Sequence, residues 1–245
     1  MGSPVKLYQQ EMHNNLGFFA TWLPVSILNL GDYGVLENGR FRKAGTLKEL
    51  GIAHSEESEG APQDMSYSAS AQRRAVASAG AGTAVPIAKA ELSIRFDQQG
   101  GYVFEALGMR HVEIADRMAL ADRILRVYEE GGWRKEWLVV DALYKAASAT
   151  IIVSEDSSSE IVFSASGQIP LGSLPLADPK IGLSVYSSSG KIVHWVAKSD
   201  LSPLYSCLKV DSSWFGRGTP TMAPVRGMGE GQPLTRLGIK ELLDS

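Results

Sequence analysis

Residues 91–109, ELSIRFDQQGGYVFEALGM, limit what this chain can fold into more than any other stretch, because their side chains alternate between apolar and polar. Leu92, Ile94 and Phe96 alternate with Glu91, Ser93 and Arg95. That period of two belongs to a strand, not a helix. After DQQGG, Tyr102, Phe104 and Ala106 alternate with Val103, Glu105 and Leu107. The spacing predicts a β-hairpin closed by a loop of about five residues. Its first arm has one apolar and one polar face. Its second carries Val103 and Leu107 as apolar groups on the other face, as a buried strand does.

Turn and cap signals divide the rest. Asn38 and Gly39, between Val35-Leu36 and Phe41, predict a tight hairpin. Thr46 with Glu49 and then Gly51 is a capping box on a very short helix. Residues 54–64, HSEESEGAPQD, read as a loop, and the Ala- and Ser-rich residues 65–90 as a strand or irregular segment. Met118, Ala121, Ile124, Leu125 and Tyr128 fall at helical spacing and predict an amphipathic helix over about 114–130, ended by Gly131 and Gly132. Trp137–Val140, Thr150–Val153 and Glu160–Ala165 are rich in strand formers, with the turn EDSSS before the last. IGLSVY, SSSG and KIVHWVAK, residues 181–198, read as a further hairpin. Residues 212–245 change character: a Gly/Pro-rich linker precedes a short helix over 235–243.

The pattern is α+β: a twisted, mainly antiparallel sheet built from hairpins, with amphipathic helices packed on it and a short C-terminal tail. One domain over 1–211 and a tail over 212–245 are expected. A chain of 245 residues, 44% apolar, is long enough to bury its own core. The net charge of −3 argues against a dedicated nucleic-acid binder. The single cysteine, Cys207, excludes an intrachain disulfide, and its apolar neighbours in LYSCLKV predict a buried thiol. No apolar run reaches the roughly 18–20 residues of a membrane helix. The first residues lack a signal-peptide core, and Lys6 stands where N-myristoylation wants Ser or Thr, so a cytoplasmic protein is expected.

Chemistry is sparse. His13, His54, His111 and His194 have no metal-ligand spacing, and there is no phosphate loop or nucleophile elbow. No catalytic residue, metal or cofactor is predicted, although His111 and Glu113, two apart, can share a strand face. Asp32, Glu37, Glu56, Glu57 and Glu59 read as solvated charges of turns and loops. Arg40, Arg42 and Lys43 after the Asn38 turn, and the pair Arg73 and Arg74, are either ordinary surface charge or contacts to anionic lipid headgroups. In the second case each is worth about 1 kcal/mol near the surface.

The order of these segments resembles the pore-forming domain of gasdermins, the bacterial type by length. WLVVDALYKAASATIIVSEDSSSEIVFSASG resembles a strand pair of that domain, and AELSIRF with YVFEA lies where its first membrane hairpin does. QIPLGSLPLADPKIGLSVYSSSGKIVHWVAK resembles the portion that completes the sheet. The resemblance covers roughly residues 16–198. It implies an autoinhibited protein that is not an enzyme. Two central hairpins would refold into a transmembrane β-barrel shared by many copies. Leu92, Ile94, Phe96, Tyr102, Phe104, Ile151, Val153, Ile161 and Phe163 would be the membrane-hairpin residues. The tail would be the inhibitor, with Leu237, Ile239, Leu242 and Leu243 as its docking face, until a protease cuts the linker. The partners implied are anionic lipid on the inner membrane face, the protease and further copies of the chain, in a cell-death or antiviral defence role. The acylated N-terminal cysteine of bacterial members has no counterpart here. Two other readings remain open: an α+β binding module without a membrane step, and an enzyme using His111 and Glu113.

Overall fold

The structure, a computed structural model, describes residues 4–21, 27–77, 90–165, 176–210 and 234–236. The chain begins with helix α1 (Pro4–Leu16) and a short strand β1 (Phe19–Ala20). Strands β2 (Asp32–Glu37) and β3 (Arg40–Thr46) form the hairpin expected at Asn38 and Gly39, both with positive φ, as a two-residue turn of this kind demands. The capping box closes as expected around a single 3-10 turn, Leu47–Leu50. Thr46 N–H donates to Glu49 Oε2 at 2.7 Å, and Gly51 takes φ 70°.

Strand β4 (Glu56–Ala69) replaces the loop expected over residues 54–64. Its acidic residues lie along an exposed edge and are held extended by antiparallel pairing to β7 (Tyr102–Ile114), from Glu56 opposite Ile114 to Ala69 opposite Tyr102. Composition reads solvation, and an edge strand is solvated on its outer side. Strands β5 (Ala71–Ala77) and β6 (Ala90–Phe96) come before β7 in the chain, and helix α2 (Arg117–Glu129) follows it, close to its expected range. Asp116 caps α2 by accepting from Ala119 N–H at 2.9 Å. The longest strands are β8 (Leu138–Ser154) and β11 (Ile192–Val210), separated by β9 (Ser159–Ala165) and β10 (Leu183–Ser189). The last described strand, β12 (Leu234–Arg236), pairs with β11, so the helix expected over 235–243 does not begin at Thr235.

Two sheets result, and the α+β class holds. In the main sheet β11, β8, β7 and β4 lie side by side, β2 and β3 join the Leu138 end of β8, and β1 and β12 flank β11. The second sheet runs β10-β9-β6-β5, antiparallel throughout. Neither the hairpin expected over 91–107 nor that over 181–198 exists. β6 pairs with β5 and β9, while β7 pairs with β4 and β8. Likewise β10 pairs with β9 and β11 with β8. Each turn carries the chain from one sheet into the other, because the two arms find their partners in different sheets.

Three apolar clusters hold the layers together. Tyr8 and Met12 of α1 reach Tyr102, Phe104, Ala106, Ile151 and Val153 on one face of the main sheet. Alternation sends Val103 and Ile152 to the opposite face, under Leu92, Ile94, Phe96, Ile161 and Phe163 of the second sheet. Leu120, Ala121 and Ile124 of α2 pack with Leu47, Val139, Leu143 and Trp133 in the third cluster. Strand β8 is buried on both faces, which is why LVV and ATIIV read as continuous apolar runs.

Candidate functional site: a creased four-arm ribbon

The two sheets share their arms. β4 runs on into β5, β6 into β7, β8 into β9 and β10 into β11, and neighbouring arms stay neighbours in both sheets. The molecule therefore holds two long bent strand pairs side by side, residues 56–77 with 90–114 and residues 138–165 with 183–210, creased across the middle. Each of the four strands beyond the crease has seven residues. The crease consists of Ser70, residues 97–101, residues 155–158 and residues 190–191. Ser70, Gly100 and Gly190 there take positive φ of 52°, 83° and 74°. A Cβ on Gly100 would stand 2.7 Å from Leu7 Cδ1, so α1 packs directly against the crease. Gly100 N–H donates to Ser154 C=O at 2.9 Å, and Ser154 N–H returns a bond to Gly101 C=O at 2.8 Å.

The central pair of arms keeps one register on both sides of the crease. Leu92 stands opposite Phe163 in the second sheet, and Tyr102 opposite Val153 in the main one. Ten positions separate the members on each arm. Between the pairs Phe96–Ser159 and Tyr102–Val153, five residues of one central arm, 97–101, face five of the other, Ser154 at the end of β8 and the crease residues 155–158. On the outer pair, Ser70 alone faces residues 97–101.

The nine expected hairpin residues are all buried, in two groups. Leu92, Ile94, Phe96, Ile161 and Phe163 face inward between the sheets. Tyr102, Phe104, Ile151 and Val153 lie under α1, on the far side of the main sheet. Val103 and Ile152 complete the first group, and the expected set lacks them because they fall on the other side of the alternation. The exposed face of the second sheet is polar: Glu160 accepts hydrogen bonds from Ser93 and Arg95, and Ser164 bonds Ser184 at 2.9 Å.

The five basic candidates do not meet. Arg40, Arg42 and Lys43 are on the β2–β3 hairpin, attached at the Leu138 end of β8, while Arg73 and Arg74 are on β5, which belongs to the sheet beyond Ser154. Arg40 and Arg74 are exposed. Arg42 pairs with Glu37 at 2.7 Å, Lys43 with Asp32 at 2.7 Å, and Arg73 with Glu105. Asp32 is buried, not solvated: it also accepts from Asn29 N–H at 3.0 Å. Leu237, Ile239, Leu242 and Leu243 lie outside the described residues.

No protein-family model matches the sequence, and no curated protein matches it. Among solved structures, the chain is similar to the gasdermin A3 membrane pore. The likeness covers 86% of this chain and 91% of that one, at 10% identity and a TM-score of 0.40.

His111 Nε2 lies 3.9 Å from Glu113 Oε2, so the two do share a face, but Arg117 holds that same carboxylate at 2.5 Å and Asp141 at 3.0 Å. Burial pushes the Cys207 thiol well above its ordinary range, which suits a packing residue, not a nucleophile. Among the described residues no group of three or more His, Cys, Asp and Glu side chains could hold a metal, and no helix is long and apolar enough to cross a membrane.

Proposed function

We propose that this chain is a non-catalytic, gasdermin-like pore-former, in which the second sheet swings out about the crease and the two bent strand pairs straighten into membrane-spanning arms. The observation that carries the reading is the shared register of the central arms. If residues 97–101 and 155–158 become strand, Leu92, Ile94, Phe96, Tyr102 and Phe104 fall on one face of their arm, since all are even-numbered. Ile151, Val153, Ile161 and Phe163 fall on the same face of the neighbouring arm, a face that at the crease also carries Gln98, Gly100, Glu155, Ser157 and Ser159. The other face then carries Glu91, Ser93, Arg95, Glu105, Thr150, Glu160 and Ser164, interrupted by Val103, Ile152 and Val162. Apolar outward and polar inward is what a lipid-facing barrel demands. Seven residues are too few to span, but the straightened arm exceeds the roughly 9–11 that a tilted strand needs.

A barrel of such arms leaves sheet edges that lipid cannot satisfy, so the chain assembles with further copies until the sheet closes. Arg40 and Arg74 contact anionic headgroups. The residues after Val210 hold the closed form until a protease cuts between residues 216 and 231. The protein then passes from the cytoplasm to the inner membrane face, in a cell-death or defence role.

Dye release from vesicles of phosphatidylserine and phosphatidylcholine tests this, with the intact chain and with the chain cut between 216 and 231. Leakage only from the cut form, lost in Ile94→Asp and Phe104→Asp variants that remain folded, is expected. Leakage from neither form, or undiminished leakage from the Asp variants, sinks the reading and leaves an α+β binding module.

A further inference from the structure

Strand β7 is buried continuously from Tyr102 to Ala106, and a carboxylate stands in the middle of that run. Glu105 is 7% exposed and shares with Val103 the face that the second sheet covers. Both carboxylate oxygens are engaged, each with a part of the chain that must leave if that sheet lifts. Oε1 pairs with Arg73 Nη1 on β5, the outer strand of the second sheet. Oε2 accepts from Leu176 N–H at 2.6 Å, in the connection that follows β9. Thr150, directly opposite Glu105 on β8, donates its hydroxyl to the Leu176 carbonyl at 2.9 Å. Two neighbouring side chains of the main sheet therefore grip the backbone of one residue, Leu176, by both its N–H and its C=O. Leu176 is itself buried among Leu92, Ile94, Phe96, Ile161 and Phe163.

We propose that Glu105, with Arg73 and Thr150, is the latch that keeps the second sheet closed on the main one. The physical reason is an asymmetry. Apolar packing between the sheets weakens gradually as they part, whereas a buried carboxylate that loses one partner before water reaches it is stranded in a low-dielectric site. Partial opening is thereby penalised, and closure becomes close to all-or-none. Replacing the charged pair removes that penalty while the apolar cluster remains. The latch concerns the closed form alone. Its role as the barrier to membrane entry rests on the pore-forming reading.

Amide hydrogen exchange on the full chain tests the latch without any membrane. In Arg73→Met and in Glu105→Gln, exchange in residues 90–96 and 159–165 should rise about tenfold or more, while 138–146 and 201–208 stay within about twofold of the parent. Two variants are used because Glu105→Gln keeps the side chain's shape and its bond to Leu176 N–H, and Arg73 lies on an edge strand where Met packs readily. Unchanged exchange in both variants, or a rise shared equally by the two sheets, overturns the latch. Faster dye release by cut Glu105→Gln protein is expected as well. Selective opening without leakage from any form keeps the latch and removes the pore-forming reading. Leakage without selective opening does the reverse.

Discussion

At the scale of single residues, the strongest constraint outside the crease is Arg117. It lies between Glu113 at 2.5 Å and the fully buried Asp141 at 3.0 Å, joining the start of α2 to β7 and β8. An Arg117→Met variant takes this cation away from the buried Asp141 carboxylate. We expect a loss of about 3 kcal/mol in urea unfolding, the low end for a broken buried pair because Arg117 is itself one-third exposed. His13 gives a pH effect of known sign. It stacks on Phe19 at 5.0 Å, and burial lowers its pKa below the ordinary 6.5. A depressed histidine binds fewer protons folded than unfolded, so its contribution is present above about pH 6.5 and is lost as pH falls toward the folded-state value. His13→Phe keeps the stack. The drop in melting temperature between pH 7.5 and 5.5 should be smaller in that variant than in the parent, and an equal drop would exclude His13 as the source.

At the scale of elements, the crease makes a prediction that ordinary loops do not. A strand's side chains change face with every residue, so the parity of the crease decides whether Leu92–Phe96 and Tyr102–Phe104 agree once the arm straightens. One residue inserted into both 97–101 and 155–158 preserves the central register but puts the two apolar groups on opposite faces. Two residues inserted into each restore agreement. Both insertions disturb the contact of α1 with the crease at Gly100, so the single and double variants should melt together. Vesicle leakage by cut protein should be lost with single insertions and retained with double ones. Equal leakage from both would mean that the arms do not straighten through the crease. The burial of the nine apolar positions was legible in the sequence, since alternation selects them. Their division into two buried groups was not. A five-residue turn can close a hairpin or carry the chain between stacked sheets, and DQQGG has the same composition in either role.

At the scale of the whole molecule, the closed form leaves little of its apolar ribbon in water. On the ribbon strands β10 and β11, Val185, Tyr186 and Val196 are exposed large apolar groups; Leu7, Ile27 and Met118 are others elsewhere among the described residues. With a net charge of −3 the chain has no general attraction to acidic lipid, so headgroup contact depends on local cations such as Arg40 and Arg74. Leakage by the cut form should therefore fall in Arg40→Gln/Arg74→Gln protein and in high salt, with the fold intact by circular dichroism. Undiminished leakage under both conditions would point to entry driven by apolar burial alone.

By itself the sequence determined whatever adjacent residues decide. The Asn38–Gly39 turn needs positive φ, the Thr46 and Glu49 caps satisfy neighbouring amides, α2 follows from helical spacing, and the even parity of Leu92 through Phe104 is written in their numbers. Helix α1 was missed because KLYQQEMHNNL has few apolar positions, and its stability comes from Tyr8 and Met12 against the sheet. Only the tertiary structure decided which strands pair. β7 pairs with β4 and β8, and β6 with β9, each dozens of residues away, and the acidic stretch from Glu56 is extended only because β7 lends it hydrogen bonds. Strand pairing is set by which long-range arrangement buries the most apolar face while satisfying every backbone group, and no local window of sequence contains both sides of that comparison.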